Sequence, residues 1–314
     1  MIRIQKYTDK DSKIWNDFNA ASKNHLFMFD RNYMDYHRDR FQDFSMLVYS
    51  EDELVALFPA CIQDNRLISH GGLTFGGFIT NERMKQHTMN DCFNALIEYG
   101  RSFNWTSILY KVIPHVYHLQ SAEEDRYSLF ANGAKILTID ASTYINLSFP
   151  LKMSKGRKAQ VSRAKREGVQ IRELKDMDSF DEFIDLENEV LELRHGTRAV
   201  HTAKELKMLH DRFPNNIHLF GAIKRDNIIA GTVIYEYDNV IHTQYMAANE
   251  EARKIGALDL AVVSVIELYR DKKLWLDFGI STEHGRIYLN EGLINQKESF
   301  GGRTGVYEIW ELDL

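Results

Sequence analysis

The chain has 314 residues, of which 44% are apolar and 27% charged, and a formal net charge of −6. These values describe an ordinary globular protein of about two domains and argue against a primary nucleic-acid binder, although a local basic patch stays open. No apolar run reaches the ~18 residues of a membrane span, and two cysteines, Cys61 and Cys92, are too few for a disulfide framework or an all-cysteine zinc site. The N-terminal segment MIRIQKYTDKDSKIW lacks an apolar signal core, so a cytoplasmic protein is expected. With four prolines and no Gly/Ser-rich stretch, no flexible tether is expected.

Hydrophobic periodicity predicts a strand at 2–6 and helices near 10–22 and 31–41. SMLVYS and ELVALFPACI read as strands around a turn at 51–53, followed by RLISH and LTFGGFI. A helix is expected over 83–103, a strand at TSILYKVI, a helix over 121–132 and a long strand at AKILTIDASTYINLS. A basic helix begins at KGRKAQVSRAKREG, and VQIREL is a strand. DSFDEFIDLENEVLELRH and TAKELKMLHDRF are helices, the first with a broad apolar face. IHLFGAIK and IIAGTVIYEY form a hairpin around Arg225-Asp226-Asn227, and VIHTQYMAA is a third strand. A helix over 256–272, the strand KLWLDFGI, a helix over 286–299 and the strand GVYEIWEL complete the chain.

The order of elements occurs twice, with an offset of roughly 170 residues. This predicts an α/β protein with mixed sheets built from two copies of one fold, over 1–150 and 151–314. The stretch from Trp275 to Gly302 crowds Asp277, Glu283, His284, Arg286, Tyr288, Asn290, Glu291 and Lys297 between two strands. Polar groups gathered after an apolar strand usually line a site.

That element order resembles the GNAT acyltransferase fold, and two copies in one chain resemble its FemAB-type branch, with the BioF2-like (CelD-like) acetyltransferases. The resemblance is carried by LDFGIST at 276–282, LNEGLINQKESFGGR at 289–303, VIHTQYMAANEEARKIGALDLAVVSVIE at 240–267, SHGGLTFGGFI at 69–79 and the basic helix. It implies two tandem GNAT-like domains, the first shaping the acceptor side and the second carrying catalysis. It also implies an N-acyltransferase that uses acetyl-CoA or another acyl-CoA as co-substrate and binds no permanent cofactor. The acceptor would be a small molecule, such as an amino-sugar nucleotide or a cell-envelope precursor. Aminoacyl transfer from tRNA, as in the peptidoglycan-building relatives, is the alternative, and a degenerate binding protein is a third.

GNAT proteins usually carry Q/R-x-x-G-x-G/A before the long helix. Here Arg253, Lys254, Gly256 and Ala257 supply the first part, but Leu258 stands where a small residue is usual. A pyrophosphate at this helix start would meet free N–H groups and two cations. Alternation along VIHTQYMAA puts His242, Gln244 and Met246 on one face and Thr243 and Tyr245 on the other, as a cleft lining. Asp277, Glu283 and His284 are the candidate proton acceptors, and the sequence does not choose among them. Lys297 matches the lysine of the family's K-x-x-F-G element, to which a charge-stabilising role is ascribed, although Gln296 replaces the preceding aromatic. Tyr288 and Asn290 are further substrate-side candidates. Arg194, His195, Arg198 and His201 concentrate positive charge in one loop, suited to an anionic acceptor. Two histidines there without a carboxylate do not suggest a metal. The counterpart of 275–302 in the first half lacks both the DFG-like turn and K-x-x-F-G, so a single site in the second copy is expected.

Overall fold

The computed structural model describes residues 1–283 and 287–314, with the side chains of Arg194 and His195 outside the description. The chain forms two compact units, Met1–Asp140 with Val306–Leu314, and Ala141–Gly305. Among the described residues, no helix is long and apolar enough to cross a membrane.

The first unit begins with β1 (Ile2–Lys6), α1 (Ser12–Ala20), α2 (Arg31–Met34) and β2 (Gln42–Asp43). It continues through β3 (Met46–Ser50), β4 (Glu53–Phe58), β5 (Cys61–Gln63), β6 (Arg66–Ile68) and β7 (Ile79–Thr80). α3 (Gln86–Ser102), β8 (Ser107–Lys111) and α4 (Glu124–Ala131) follow. Its strands fall into two sheets, because ELVALFPACI is two strands and not one. Pro59 has no N–H to give a ladder, so β4 joins β1, β3 and β7 while β5 pairs with β2 and β6. LTFGGFI is strand only at its end: Gly77 has φ +85°, and the Tyr110 ring fills the space a Cβ would need. The helix expected over 31–41 stops as an α-helix at Met34.

β9 (Lys135–Asn146) leads the chain into the second unit, which holds α5 (Lys155–Arg166), β10 (Gln170–Leu174), α6 (Met177–His195) and α7 (Ala203–Arg212). Next come β11 (Ile217–Lys224), β12 (Asn227–Glu236), β13 (Val240–Ala248), α8 (Glu250–Ile255) and α9 (Ala257–Tyr269). β14 (Trp275–Ile280), the short β15 (Thr282–Glu283) and β16 (Tyr288–Leu289), and α10 (Glu291–Glu298) follow, and β17 (Arg303–Asp313) returns the chain to the first unit. The strands lie in the order β10-β11-β12-β13-β14 and then the C-terminal part of β9. The expected hairpin is present, with Arg225 (φ 52°) and Asp226 (φ 64°) as its two central residues. α9, sequence ALDLAVVSVIELY, is apolar on nearly every side because it is buried between the sheet and α5. The helix expected from 286 starts at Glu291, where Asn290 accepts the Leu293 N–H as N-cap.

Candidate active site

β13 and β14 run parallel for three residue pairs only, ending at His242↔Asp277. β14 then shifts register toward β9, where Ile280 faces Ser142, and Gly279 takes φ +71°. The two strands therefore part immediately beyond His242 and Asp277. Leu276 and Phe278 on β14, Ile241 on β13 and Ile234 on β12 all pack into the core around α9, so Asp277 and His242 lie on the opposite sheet face.

The simple alternation expected along β13 does not hold. A bulge pairs Val233 with Tyr245 but Ile234 with Thr243, leaving Gln244 as the extra residue. Thr243 shares the α9 side with Ile234, and Tyr245 joins His242 on the other, α6-facing side. A bulge re-aims side chains in this way, often beside functional sites.

Asp277 is fully buried. One oxygen accepts from Ser142 Oγ at 2.7 Å and from the Gly279 N–H at 2.8 Å, and the other faces His242 Nδ1 at 3.2 Å. A carboxylate held this way is fixed in its orientation toward His242. Lys297 is also buried and donates to the carbonyls of Gly279 at 2.9 Å and Ile280 at 2.7 Å. Burial pushes its ammonium down to about 8, against the pull of Asp277. The lysine thus fixes the backbone where β14 turns away. Among the described residues, the buried hydroxyls of Thr143, Tyr144, Thr243 and Ser281 around this point have no hydrogen-bond partner. Burial, with Asp277 nearby, raises the Tyr144 phenol well above its ordinary value. Buried polar groups are rarely left unpaired without a reason, and a ligand is one.

A cleft of 230 Å³ lies between Met246 and Ala248 of β13, Val190 of α6, Arg253 of α8, Leu258 and Asp259 at the start of α9, and Leu293 and Gln296 of α10. Arg157 of α5 lines it too and forms an ion pair with Asp259. Gly256 has φ +78°, and a Cβ there would sit 2.7 Å from the Gln160 carbonyl oxygen of α5. This glycine lets α8 turn sharply into α9 and lets α5 approach closely.

Other sequence candidates fall elsewhere. Lys254 is exposed and pairs with Glu250 at 2.6 Å. Ala257 is the buried first residue of α9. Glu283 on β15 accepts from Asn290 Nδ2 at 2.7 Å, and Tyr288 on β16 is largely exposed. His284 and Arg286 lie outside the described residues, as do the side chains of Arg194 and His195 at the end of α6. Arg198 is exposed and faces Glu192 at 3.8 Å. His201 is not a surface cation: it is buried, with Nδ1 2.7 Å from the Tyr245 hydroxyl. The sequence alone does not single out Ser142, Tyr144 or Glu187. Glu187 stands on the apolar face of α6 between Phe183 and Val190, and a lone carboxylate at that spacing was the available signal.

Residues 153–285 match the family model of an acetyltransferase (GNAT) domain. The crystal structure of FemX superposes with a TM-score of 0.68 at 11% identity, covering 99% of this chain and 97% of that one. The C-terminal domain of a putative lysylphosphatidylglycerol synthetase from Agrobacterium fabrum gives 0.64 at 14% identity over 97% and 92%. A tandem GNAT protein from the clavulanic acid biosynthesis pathway gives 0.54 at 11% identity over 100% and 98%. At such identities the likeness shows the fold. No curated protein sequence matches the chain. The chain therefore has the fold of FemX and of a tandem GNAT protein, and its residues 153–285 match a GNAT acetyltransferase domain.

Proposed function

We propose that the second unit transfers an acyl group, acetyl in the simplest case, from acyl-CoA to the amine of a small acceptor. The observation that carries this reading is the parting of β13 and β14 just beyond the His242–Asp277 pair, next to the cleft at the start of α9. The pantetheine arm would lie along the edge of β13, and the acyl carbonyl would take a backbone N–H from that strand. The first turn of α9 and Arg253 would meet the pyrophosphate. Leu258 makes that approach more apolar than the usual small residue, and Arg157 balances Asp259.

With Nδ1–H directed at Asp277, Nε2 is the basic nitrogen of His242. The amine nitrogen bonds to the acyl carbon, its proton goes to His242 Nε2, the C–S bond breaks, and the thiolate leaves and takes up a proton. Lys297 acts by fixing the Gly279 and Ile280 carbonyls that shape the strand end. Amino-sugar nucleotides and other cell-envelope precursors are the acceptors that the family resemblance suggests.

A specific observation supports the second reading, aminoacyl transfer from tRNA. Lys155, Lys158, Arg163, Lys165 and Arg166 are exposed on α5, a basic face suited to a polyanion. Thiol release from acetyl-CoA, followed in the presence and absence of an amine panel, separates the two. Amine-dependent release is expected; none from acetyl-CoA, with product formed from aminoacyl-tRNA, would replace the first reading by the second.

A further inference from the structure

α6 turns one apolar face toward β12 and β13. Phe183 fills the space above Gly231 of β12, and Val190, two turns on, lines the cleft. Between them at helical spacing stands Glu187, 6% exposed, with its Oε2 buried and, among the described residues, without a hydrogen-bond partner. A carboxylate oxygen left without a partner in such a place is unfavourable as an ion. Burial alone pushes its carboxyl up to about 7. α6 packs against β13, and Tyr245 points to the α6-facing side of that strand; the Glu187 charge is one of the causes that raise the Tyr245 phenol. Tyr245 is itself held by His201, whose backbone N–H reaches the hydroxyl at 3.3 Å and whose Nδ1 lies at 2.7 Å. Burial raises the Tyr245 phenol to about 12, so it stays neutral.

We infer that Glu187 is a seat for a second cationic group on the acceptor, which makes the preferred acceptor a diamine or a basic amino acid. This rests on the reading of His242 as the reaction centre. The bulge at Gln244 puts His242 and Tyr245 on one face, opposite Tyr235 and Val233 of β12, which are two residues apart, or about 7 Å at a strand rise of ~3.3 Å. A short diamine bridges much of that span, with the side chains covering the rest. One amine would meet the acyl carbon at His242 while the other, as ammonium, supplies the missing partner of Glu187 Oε2. The ion pair then forms in an apolar surround, where it discriminates strongly against an acceptor that lacks the second charge. A carboxylate seat also points away from a nucleotide-sugar acceptor, whose phosphates it would repel.

The test compares acetylation of putrescine and n-butylamine, molecules of similar length that differ by one ammonium group. Wild-type kcat/KM should favour putrescine at least tenfold, and in Glu187→Gln the ratio should fall to near one. Equal rates for the two amines in wild type, or a preference that persists in Glu187→Gln, would overturn the inference. The wild-type comparison needs no variant to fold. Absence of acetylation of any amine would instead count against the acyl-CoA reading, so the two failures are distinguishable.

Discussion

Replacing His242 by Gln should lower turnover by about 10²- to 10⁴-fold, the usual contribution of a positioned general base. Acetyl-CoA affinity should change little, because His242 lies where β13 and β14 part and is not among the residues that line the cleft. Glutamine keeps a polar side chain of similar size but supplies no basic nitrogen at neutral pH. Asp277→Asn should give a loss of similar kind. The amide cannot carry the charge that steadies a protonated imidazole, and its NH₂ would oppose the Ser142 hydroxyl or the Gly279 N–H that now donate to it. Steady-state kinetics with calorimetric affinities separates the effects: a fall in kcat with Kd unchanged is the expected signature. Wild-type rates in both variants would remove His242 and Asp277 from the chemistry.

Gly256→Ala should destabilise the second unit by about 3 kcal/mol, the sum of a left-handed residue with a Cβ, ~1–2 kcal/mol, and overpacking, ~1–3 kcal/mol. The overpacking is specific. The new Cβ would lie 2.7 Å from both the Gln160 carbonyl oxygen and its Cβ. These belong to the middle of a helix, so α5 must move as a body or α9 must swing away. Either movement disturbs the Arg157–Asp259 contact and the cleft between them. Thermal unfolding should shift down by roughly 6–12 °C for a unit of this size, with weaker acetyl-CoA binding. The same substitution at Gly168 is a useful control for conformation alone. Its φ is +77°, but a Cβ there meets nothing within 4 Å. A Gly256→Ala protein no less stable than Gly168→Ala would show that the close approach of α5 is unimportant.

The second unit was legible because its signals are local. β11, β12 and β13 alternate or run apolar, α6 and α7 repeat at helical spacing, and the Arg225-Asp226 turn separates two strands cleanly. Asp277 and Lys297 also stood out, as charged residues in apolar company. What could not be read depends on neighbours distant in sequence. The bulge at Gln244 arises from pairing with β12, and alternation alone put Tyr245 on the wrong face. His201 looked like one of several loop cations, but its burial against Tyr245 is a tertiary contact. Glu187 leaves only a faint signal, a lone carboxylate on the apolar face of α6, because a single charge does not break an amphipathic pattern. In the first unit, Pro59 was visible, yet its effect of sending β4 and β5 to different sheets was not.

The central claim is that acyl-CoA enters the second unit between β13 and the start of α9. Backbone amide shifts of the full chain, titrated with acetyl-CoA, test it most directly. The largest changes should fall at Thr243–Ala248 and Arg253–Asp259, with little change across the first unit. Saturable binding with changes confined to the first unit, or no change at millimolar acetyl-CoA, would contradict it.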